Sequence, residues 1–348
     1  MQRRRMDPTA RRRLAAAALV VAGLALYPAL FPGALNLGVT LVLYAAMATA
    51  WDVLGGWAGQ LSLGHAALVG LGAYTFGLLT QAAGWQGSVG LAAAVAAVVL
   101  AAAAATLAWG WVTFRLRGPY FTLSSIAVAE ILRLVATNAR RLTGGAQGLF
   151  VFSLPRPLGL DLFDRTVEFY LALGLLALAL GVAWWLSWSR FGYYLQAIRE
   201  DEEAAMALGI HPLRYKLGAF VISGVLTALA GAIYGVFLSF FEPRGVFNIE
   251  LSVSVALMAI IGGTGTMLGP LAGAALLTVA ADWLRVIFQQ ANLLVYGVLI
   301  VLVVRFAPRG IAGAAAALAR RWSGARSAHP AGEGLEHGLR RASGSPQG

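Results

Sequence analysis

Residues that could do chemistry are few in this chain of 348 residues, and their spacing matches no catalytic pattern. Only 12% of the residues are charged, lysine occurs once, at Lys216, and cysteine is absent. No Gly-x4-Gly-Lys-Ser/Thr loop could cradle ATP, and no His-Glu-x-x-His pair or cysteine set could hold zinc. The four histidines are scattered. We therefore predict no catalytic residue, no metal ligand and no cofactor bound by this chain.

Five polar residues nevertheless stand within long apolar runs. Glu130 and Arg133 are three residues apart, so they share one helical face and can pair. Gln60, Ser62 and His65 follow a glycine-rich stretch. A structural ion pair and a satisfied core histidine are the plainer interpretations. Ionisable residues at membrane depth usually face a cavity or the bundle interior, however, which makes Glu130 and Arg133 candidates for a substrate pathway. Gln60, Ser62 and His65 are candidates because interrupted helices near the midplane are where transporters place substrate paths.

The elements that must position these residues are membrane-spanning helices. Hydrophobic residues make up 59% of the chain, and a soluble domain could not bury so much apolar surface beneath a polar skin. This excludes a soluble enzyme, a disordered chain and a disulfide-stapled scaffold. The net charge of +11 is explained by arginines in the cytoplasmic loops of a membrane protein, where cations concentrate. We therefore do not expect nucleic-acid binding.

Ten apolar runs are long enough to be considered as spans, since a bilayer-crossing helix needs about 20 residues. We predict an all-α polytopic protein, with possible inverted halves of five helices each. The predicted spans are Leu14–Phe31, Leu35–Leu54, Leu61–Leu79, Val89–Phe114, Tyr120–Thr137, Val167–Trp188, Leu217–Phe240, Leu251–Met267, Leu271–Phe288 and Leu293–Phe306. The transmembrane domain would therefore cover residues 14–308.

The distribution of arginine predicts the orientation of these spans. Six arginines precede the first span, and others follow the fourth, sixth and tenth spans. Because cations concentrate in loops that stay cytoplasmic, we predict that both termini are cytoplasmic in the inner membrane. Residues 1–13 would form a basic cytoplasmic tail, and residues 309–348 a disordered cytoplasmic tail.

One long polar segment, residues 189–216, falls on the predicted cytoplasmic side. Its composition predicts a helix over Tyr194–Leu208, in which Arg199 and Glu203 have the i,i+4 spacing of an ion pair. Gly209 stands where a left-handed residue would end that helix, and Pro212 where the next helix would begin. A solvated loop is the plainer interpretation of such a charged segment.

The pattern Glu203-Ala204-Ala205, followed four residues later by Gly209, resembles the coupling motif of ABC importer permeases. In that family the loop docks into a groove on the ATP-hydrolysing subunit, so the resemblance assigns Glu203, Ala204, Ala205 and Gly209 to this contact. An Ile-x-Leu-Pro ending found in the general motif is absent, and Ile210-His211-Pro212 stands nearby instead.

Other segments resemble the branched-chain amino acid ABC permeases of the LivH/LivM class, and its LivM type in particular. They are Gly55–Ala67 with Gly70–Tyr74, Arg117–Phe121 with Ala129–Arg133, Thr143–Leu149, and Gly262–Thr266 with Gly269-Pro270. The resemblance implies transport of leucine, isoleucine and valine, and adds Thr143, Gly144 and Gly145 as pathway candidates. It also implies a sibling LivH-type permease, two ATP-binding subunits that hold ATP and magnesium, and a periplasmic amino-acid-binding protein.

Two other functions remain open at this point. Related permeases move urea or short amides, and an ion-coupled secondary transporter could use Asp52, Glu130 or Asp282 as an ion site. The outer loop between residues 138 and 166 is a candidate contact for the binding protein. The charged residues that could make this contact are Arg140, Arg141, Asp161 and Asp164, with Glu168 just beyond the loop.

Overall fold

A computed structural model describes residues 8–82, 87–115, 120–151, 159 and 161–287, and almost all of them belong to helices. The helices are α1 (Pro8–Ala25), α2 (Tyr27–Leu30), α3 (Leu35–Asp52), α4 (His65–Ala82), α5 (Gly87–Thr113), α6 (Tyr120–Asn138), α7 (Arg140–Thr143), α8 (Arg165–Trp188), α9 (Arg190–Glu200), α10 (Glu202–Ala207), α11 (Pro212–Leu238), α12 (Pro243–Val246), α13 (Ile249–Gly262) and α14 (Gly269–Ile287). Two-residue strands β1 (Leu149–Phe150) and β2 (Phe240–Phe241) pair antiparallel.

The centre of the bundle is formed by α3 and α11. Helix α3 packs against α8, α14, α11 and α13, while α11 also packs against α4 and α5. From Gly38 onward nearly every α3 residue is buried, whereas α5 exposes large apolar residues such as Leu100 and Trp111. An apolar exterior around an apolar core is the pattern expected of helices that meet lipid.

Small residues let α4 and α11 approach each other closely. A Cβ atom added to Gly72 would lie 1.9 Å from the carbonyl oxygen of Ala228, and one added to Gly231 would lie 2.1 Å from that of Val69. Backbone contact of this kind replaces side-chain packing, as is common between helices in membranes. These two glycines therefore fix the crossing of α4 over α11.

The connections segregate to the two ends of the bundle. The β1–β2 pair joins the loop after α6 to the segment after α11, which defines one end. At the opposite end, the side chain of Arg199 in α9 contacts the segment after α3 and the turn after α13. The connections thus alternate between two ends, as the predicted spans require. We call these ends outer and inner after the orientation predicted from the arginines.

Among the residues that the structure describes, six helical segments are long and apolar enough to cross a membrane. They are Pro32–Trp57, Gly87–Thr113, Tyr120–Asn138, Arg165–Trp188, Pro212–Leu238 and Pro243–Gly262. The segments Leu14–Leu30 and Gly269–Leu284 are apolar but shorter. The predicted polytopic all-α fold is therefore confirmed. The predicted tenth span, Leu293–Phe306, and the tails at 1–7 and 309–348 lie outside the described residues.

Predicted helix boundaries were wrong at the first span, which ends at Ala25 rather than Phe31, and at the two glycine-rich interruptions. Helix α4 begins at His65 rather than Leu61, because a π-helical turn over Val53–Trp57 ends the preceding helix and non-helical backbone follows through residue 64. Helix α13 ends at Gly262 rather than continuing to Met267, because Gly263 adopts a φ of +117° that a helix cannot contain. Both interruptions lie at the inner end.

Candidate coupling and transport site

The polar inner segment forms two helices where one was predicted. Helix α9 ends at Glu200, and Asp201 adopts an extended conformation before α10. The carboxylate of Asp201 accepts hydrogen bonds from the backbone N–H groups of Glu203 and Ala204, both at 2.9 Å. Asp201 is therefore the N-cap of α10, and the prediction of one helix over Tyr194–Leu208 was wrong.

The end of α10 has the geometry predicted for Gly209. This residue has a φ of +81°, and its N–H donates to the carbonyl oxygen of Met206, while that of Ile210 donates to Ala205. These two bonds are a Schellman motif, which satisfies carbonyl groups that a helix end leaves free. As predicted, Pro212 then begins α11. We call residues 201–210 the coupling segment.

The coupling segment presents one anchored face and one exposed face. Ala205 is buried, and Glu202 forms an ion pair at 2.6 Å with Lys216, the single lysine, on α11. Glu203 and Ala204 are exposed, and Leu208 has 81% of its surface exposed. A short rigid helix with an apolar tip at the end of the bundle is suited to docking into a groove on another protein.

Helix α9 is bonded directly to the interrupted end of α3. The guanidinium of Arg199 donates to the carbonyl oxygen of Gly56, inside the π-helical turn. Its side chain also lies against Gly59 and Gly265, where an added Cβ would come within 2.8 Å of Arg199 Cγ and 3.0 Å of Arg199 Nη1, respectively. Both glycines have positive φ. One arginine thus touches both interruptions at the inner end.

The same two interruptions are joined by a buried carboxylate. Asp52, 1% exposed, accepts the backbone N–H of Gly265 on Oδ1 at 2.9 Å and on Oδ2 at 3.1 Å. Gly56 fits beside it only because it has no Cβ, which would lie 1.9 Å from Asp52 Oδ1. We call Asp52, Gly56, Arg199 and Gly265 the inner clasp. The inner clasp surrounds the non-helical backbone with protein. Such burial is required at membrane depth, because no water is present there to bond the polar backbone groups.

Ser62 and His65, two of the predicted pathway residues, lie in the packed core. The His65 ring contacts Ser62 Oγ through Nδ1 at 3.0 Å and Ser223 Oγ through Nε2 at 2.9 Å. Both residues are almost fully buried. The ring therefore ties the start of α4 to α11, and both of its nitrogens are already engaged.

The remaining polar residues near the glycine-rich stretches also bond within the protein. The side-chain amide of Gln60 donates to Ala58 at 3.4 Å. Thr143 is buried, donates through Oγ1 to the Ala139 carbonyl at 3.0 Å, and accepts the N–H of Gly145 at 3.2 Å. Gly144 and Gly145 have φ of +74° and +63°. These three residues shape the turn that leads into β1.

Glu130 and Arg133, by contrast, border a cavity that opens at the outer half of α6. Its volume is about 510 Å³, and its lining includes Arg244 and Asn248 together with the apolar Ile126 and Phe247. Arg133 Nε donates to Glu130 Oε2 at 2.8 Å, as the spacing predicts, and Glu130 remains 52% exposed. We call this space the outer cavity.

The acidic residues of the outer loop have two different roles. Asp164 caps α8: its Oδ1 accepts the Thr166 N–H at 2.7 Å, which lowers the pKa of Asp164 below its usual value. Glu168 is buried and forms an ion pair at 2.7 Å with Arg165. The expectation that Glu168 meets a binding protein was therefore wrong, whereas Arg140, Arg141 and Asp161 are exposed.

The sequence pointed to neither the clasp role of Arg199 nor the position of Arg244. Arg199 is 143 residues from Gly56, and no local pattern joins them. Arg244 lies on the single turn α12, next to Pro243, and only its charge at an outer connection distinguishes it. Within the described part of the chain, no ion pair or hydrogen bond of its guanidinium is found.

A family model described as "Branched-chain amino acid transport system / permease component" matches residues 33–304. The chain is 30% identical to the high-affinity branched-chain amino acid transport system permease protein LivM of Escherichia coli K12, over 87% of this chain and 75% of the relative. It is equally similar to LivM of Salmonella typhimurium, over 80% and 70%.

A second group of relatives covers less of the chain. The autoinducer 2 import system permease protein LsrC of Klebsiella pneumoniae is 29% identical over 51% of this chain and 53% of its own length. No solved structure matches the chain.

Proposed function

This chain belongs to the permease components of branched-chain amino acid transport systems, and we propose that it forms the membrane pathway of an ATP-driven importer for leucine, isoleucine and valine. The observation that carries the proposal is the coupling segment, a capped and exposed helix at the inner end of a multi-pass bundle. Its contact with the interrupted end of α3 runs through Arg199 on α9.

The mechanism we propose begins at a partner subunit. ATP and magnesium bind to two ATP-hydrolysing subunits, and the exposed face formed by Glu203, Ala204 and Gly209 docks on one of them, with Ala205 fixing the helix from its buried side. Closure of that subunit on nucleotide moves α10 and α9 together. Because Arg199 bonds to Gly56, this movement reaches the inner clasp and drives the pathway between its outward-open and inward-open states.

A sibling LivH-type permease completes the pathway in this proposal. Helix α6 is mostly exposed, yet Glu130 and Arg133 lie within it. A charged side chain at the centre of a membrane-spanning helix costs about 2.5–3.5 kcal/mol when it faces lipid. Exposure of both side chains to lipid would therefore be unfavourable. The face bearing Glu130 is therefore better explained by a second permease than by lipid, with the outer cavity lying between the two subunits.

The segregation of the connections to two ends supports our proposal for the arrangement in the membrane. We propose ten spans, with both termini cytoplasmic and five helices in each inverted half. The outer end, with exposed Arg140, Arg141 and Asp161, then faces a periplasmic binding protein that delivers the amino acid. Thr143, Gly144 and Gly145 support the pathway by fixing the turn beside this surface.

Transport of urea or short amides is the alternative within the same mechanism, and ion-coupled transport the alternative to it. Both oxygens of the Asp52 carboxylate already accept the Gly265 N–H, so that residue belongs to the clasp rather than to an ion site. Apolar Ile126 and Phe247 in the outer cavity favour an aliphatic solute over urea.

Reconstitution of the complete importer tests the proposal. Proteoliposomes containing both permeases and both ATPases, with binding protein on the outer side, should accumulate labelled leucine only when ATP is present on the ATPase side. Ionophores that collapse ion gradients should leave uptake unchanged. Uptake of urea instead of leucine would replace the substrate assignment, and uptake that needs an ion gradient but no ATP would overturn the proposal.

A further inference from the structure

The outer cavity combines three charges in an arrangement that leaves one of them unsatisfied. Glu130 and Arg133 neutralise each other through their ion pair. Arg244 is exposed and, among the residues that the structure describes, forms no ion pair or hydrogen bond. The lining therefore carries one excess positive charge beside a half-exposed carboxylate. An anionic group would be attracted to Arg244, while Glu130 can still accept a further hydrogen bond.

The walls between these charges are apolar. On α6, Ile126 lies one turn before Glu130 and Ala129 directly precedes it, and Phe247 and Ile249 border the cavity near Arg244. Side chains that share a helical face recur every three or four residues, so Ile126, Glu130 and Arg133 form one stripe. The cavity thus offers a guanidinium, a carboxylate and an aliphatic surface to a single small molecule.

These three features match the three parts of an aliphatic amino acid. A guanidinium binds a carboxylate through two parallel hydrogen bonds, and a carboxylate accepts the N–H groups of an ammonium. We infer that the outer cavity is a binding site for a zwitterionic amino acid, in which Arg244 binds the α-carboxylate and Glu130 binds the α-ammonium. Arg133 positions Glu130, and Ile126 and Phe247 contact the aliphatic side chain.

This inference rests on the proposed function and specifies where the substrate enters the pathway. Asn248 lines the cavity, and its Oδ1 accepts the N–H of Glu250 at 2.9 Å, which fixes the start of α13. The turn α12 immediately precedes it. Arg244 is therefore held on a short connection between two defined elements, β2 and α13.

The test measures binding to the complete permease–ATPase complex without binding protein, so that selectivity of the binding protein does not enter. Saturation-transfer NMR on the methyl signals of leucine detects weak ligands. Three probes separate the contacts: leucine, leucinamide without the carboxylate, and 4-methylpentanoate without the ammonium. We expect Arg244→Gln to lower the leucine and 4-methylpentanoate signals by about tenfold, in line with loss of a charge-assisted pair, and to leave leucinamide unchanged.

Glu130→Gln should show the complementary pattern. The signals of leucine and leucinamide should fall, and that of 4-methylpentanoate should not. Arg244→Lys should restore part of the leucine signal, since it keeps the charge and loses the planar fork. Arg12→Gln at the inner end and Glu242→Gln on the outer surface are matched controls, because both side chains are exposed and neither lines the cavity.

The outcomes separate the two proposals. The binding site would be overturned if Arg244→Gln and Glu130→Gln both kept the wild-type selectivity among the three probes. It would also be overturned if the wild-type complex transported leucine but gave no methyl signal. Either result would leave the importer function standing. A wild-type complex that neither binds nor transports leucine would instead contradict the proposed function. A uniform loss of the signals of all three probes would indicate a folding defect in that variant. The Arg244→Lys variant then decides whether the site exists, because an equal loss of signal in that variant would overturn it.

Discussion

Arg199 and Gly56 are 143 residues apart, yet the guanidinium of the first donates to the backbone carbonyl of the second. Arg199 lies in the last turn of α9, and Gly56 lies in the π-helical turn that ends the α3 span. A π-helical turn leaves carbonyl groups with irregular partners and often occurs at functional sites. The charged side chain therefore stabilises the place where the central helix is interrupted.

Replacement of Arg199 by glutamine should uncouple ATP hydrolysis from uptake. The lost hydrogen bond involves a charged donor, which contributes about 1.5–3 kcal/mol, so leucine uptake should fall by about ten- to a hundredfold while ATP hydrolysis persists. Both rates are measured in the same proteoliposomes. Arg214→Gln, an exposed arginine on α11 of the same inner end, is the control. Coupled transport in Arg199→Gln equal to that in Arg214→Gln would show that the contact transmits nothing.

Substitution of Gly209 tests the shape of the coupling segment without adding steric contacts. No atom lies within 4 Å of an added Cβ, but the φ of +81° disfavours side chains, by roughly 1–2 kcal/mol for most residues. We expect Gly209→Val to lower the uptake-to-hydrolysis ratio and Gly209→Asn, which tolerates this conformation, to retain it. If valine and asparagine behave alike, the cap geometry is not the reason for glycine here.

His65 should prove structural rather than substrate-binding. His65→Ala leaves the hydroxyls of Ser62 and Ser223 without their shared partner, a cost of about 1–3 kcal/mol. The thermal unfolding midpoint of the purified complex should therefore fall, while the KM for uptake by the folded fraction stays at the wild-type value. A raised KM with unchanged thermal stability would return His65 to the substrate pathway.

The crossing of α4 over α11 should tolerate no side chain at Gly72. A Cβ there would overlap the Ala228 carbonyl oxygen, so Gly72→Val should reduce the yield of folded protein in detergent, measured by size-exclusion chromatography. Gly181→Val on α8 is the matched control, because nothing lies within 4 Å of its added Cβ. Equal yields of the two variants would mean that the helices can move apart without penalty.

Local chemistry made part of this molecule predictable. The apolar runs predicted the helices. Gly209 and Pro212 predicted the end of α10 and the start of α11, because capping depends on residues adjacent in the chain. The Glu130–Arg133 pair followed from helical spacing alone. Asp201 was missed because strong helix formers on both sides masked an N-cap followed by two acids, although that pattern is typical of a helix start.

Contacts between distant segments could not be predicted in the same way. Whether His65 faces a pathway or the core depends on Ser223, 158 residues away, and the clasp depends on Asp52 meeting Gly265. The outer cavity likewise forms only when α6 lies beside α12 and α13. The packing of three or more helices determines where such residues lie. The residue types alone indicate only that polar groups are present in an apolar bundle.

The central claim is that the coupling segment faces the cytoplasm and meets an ATP-hydrolysing subunit there. The chain has no cysteine, so Ala204→Cys provides one accessible thiol on the exposed face of α10, and Asp161→Cys provides one at the outer end. A membrane-impermeant maleimide should label the cysteine at 204 only in inside-out vesicles, and the labelling should weaken when the ATPase subunits are bound. It should label the cysteine at 161 only in right-side-out vesicles. Labelling at 204 from the outer side, or labelling unaffected by the ATPase subunits, would contradict the account.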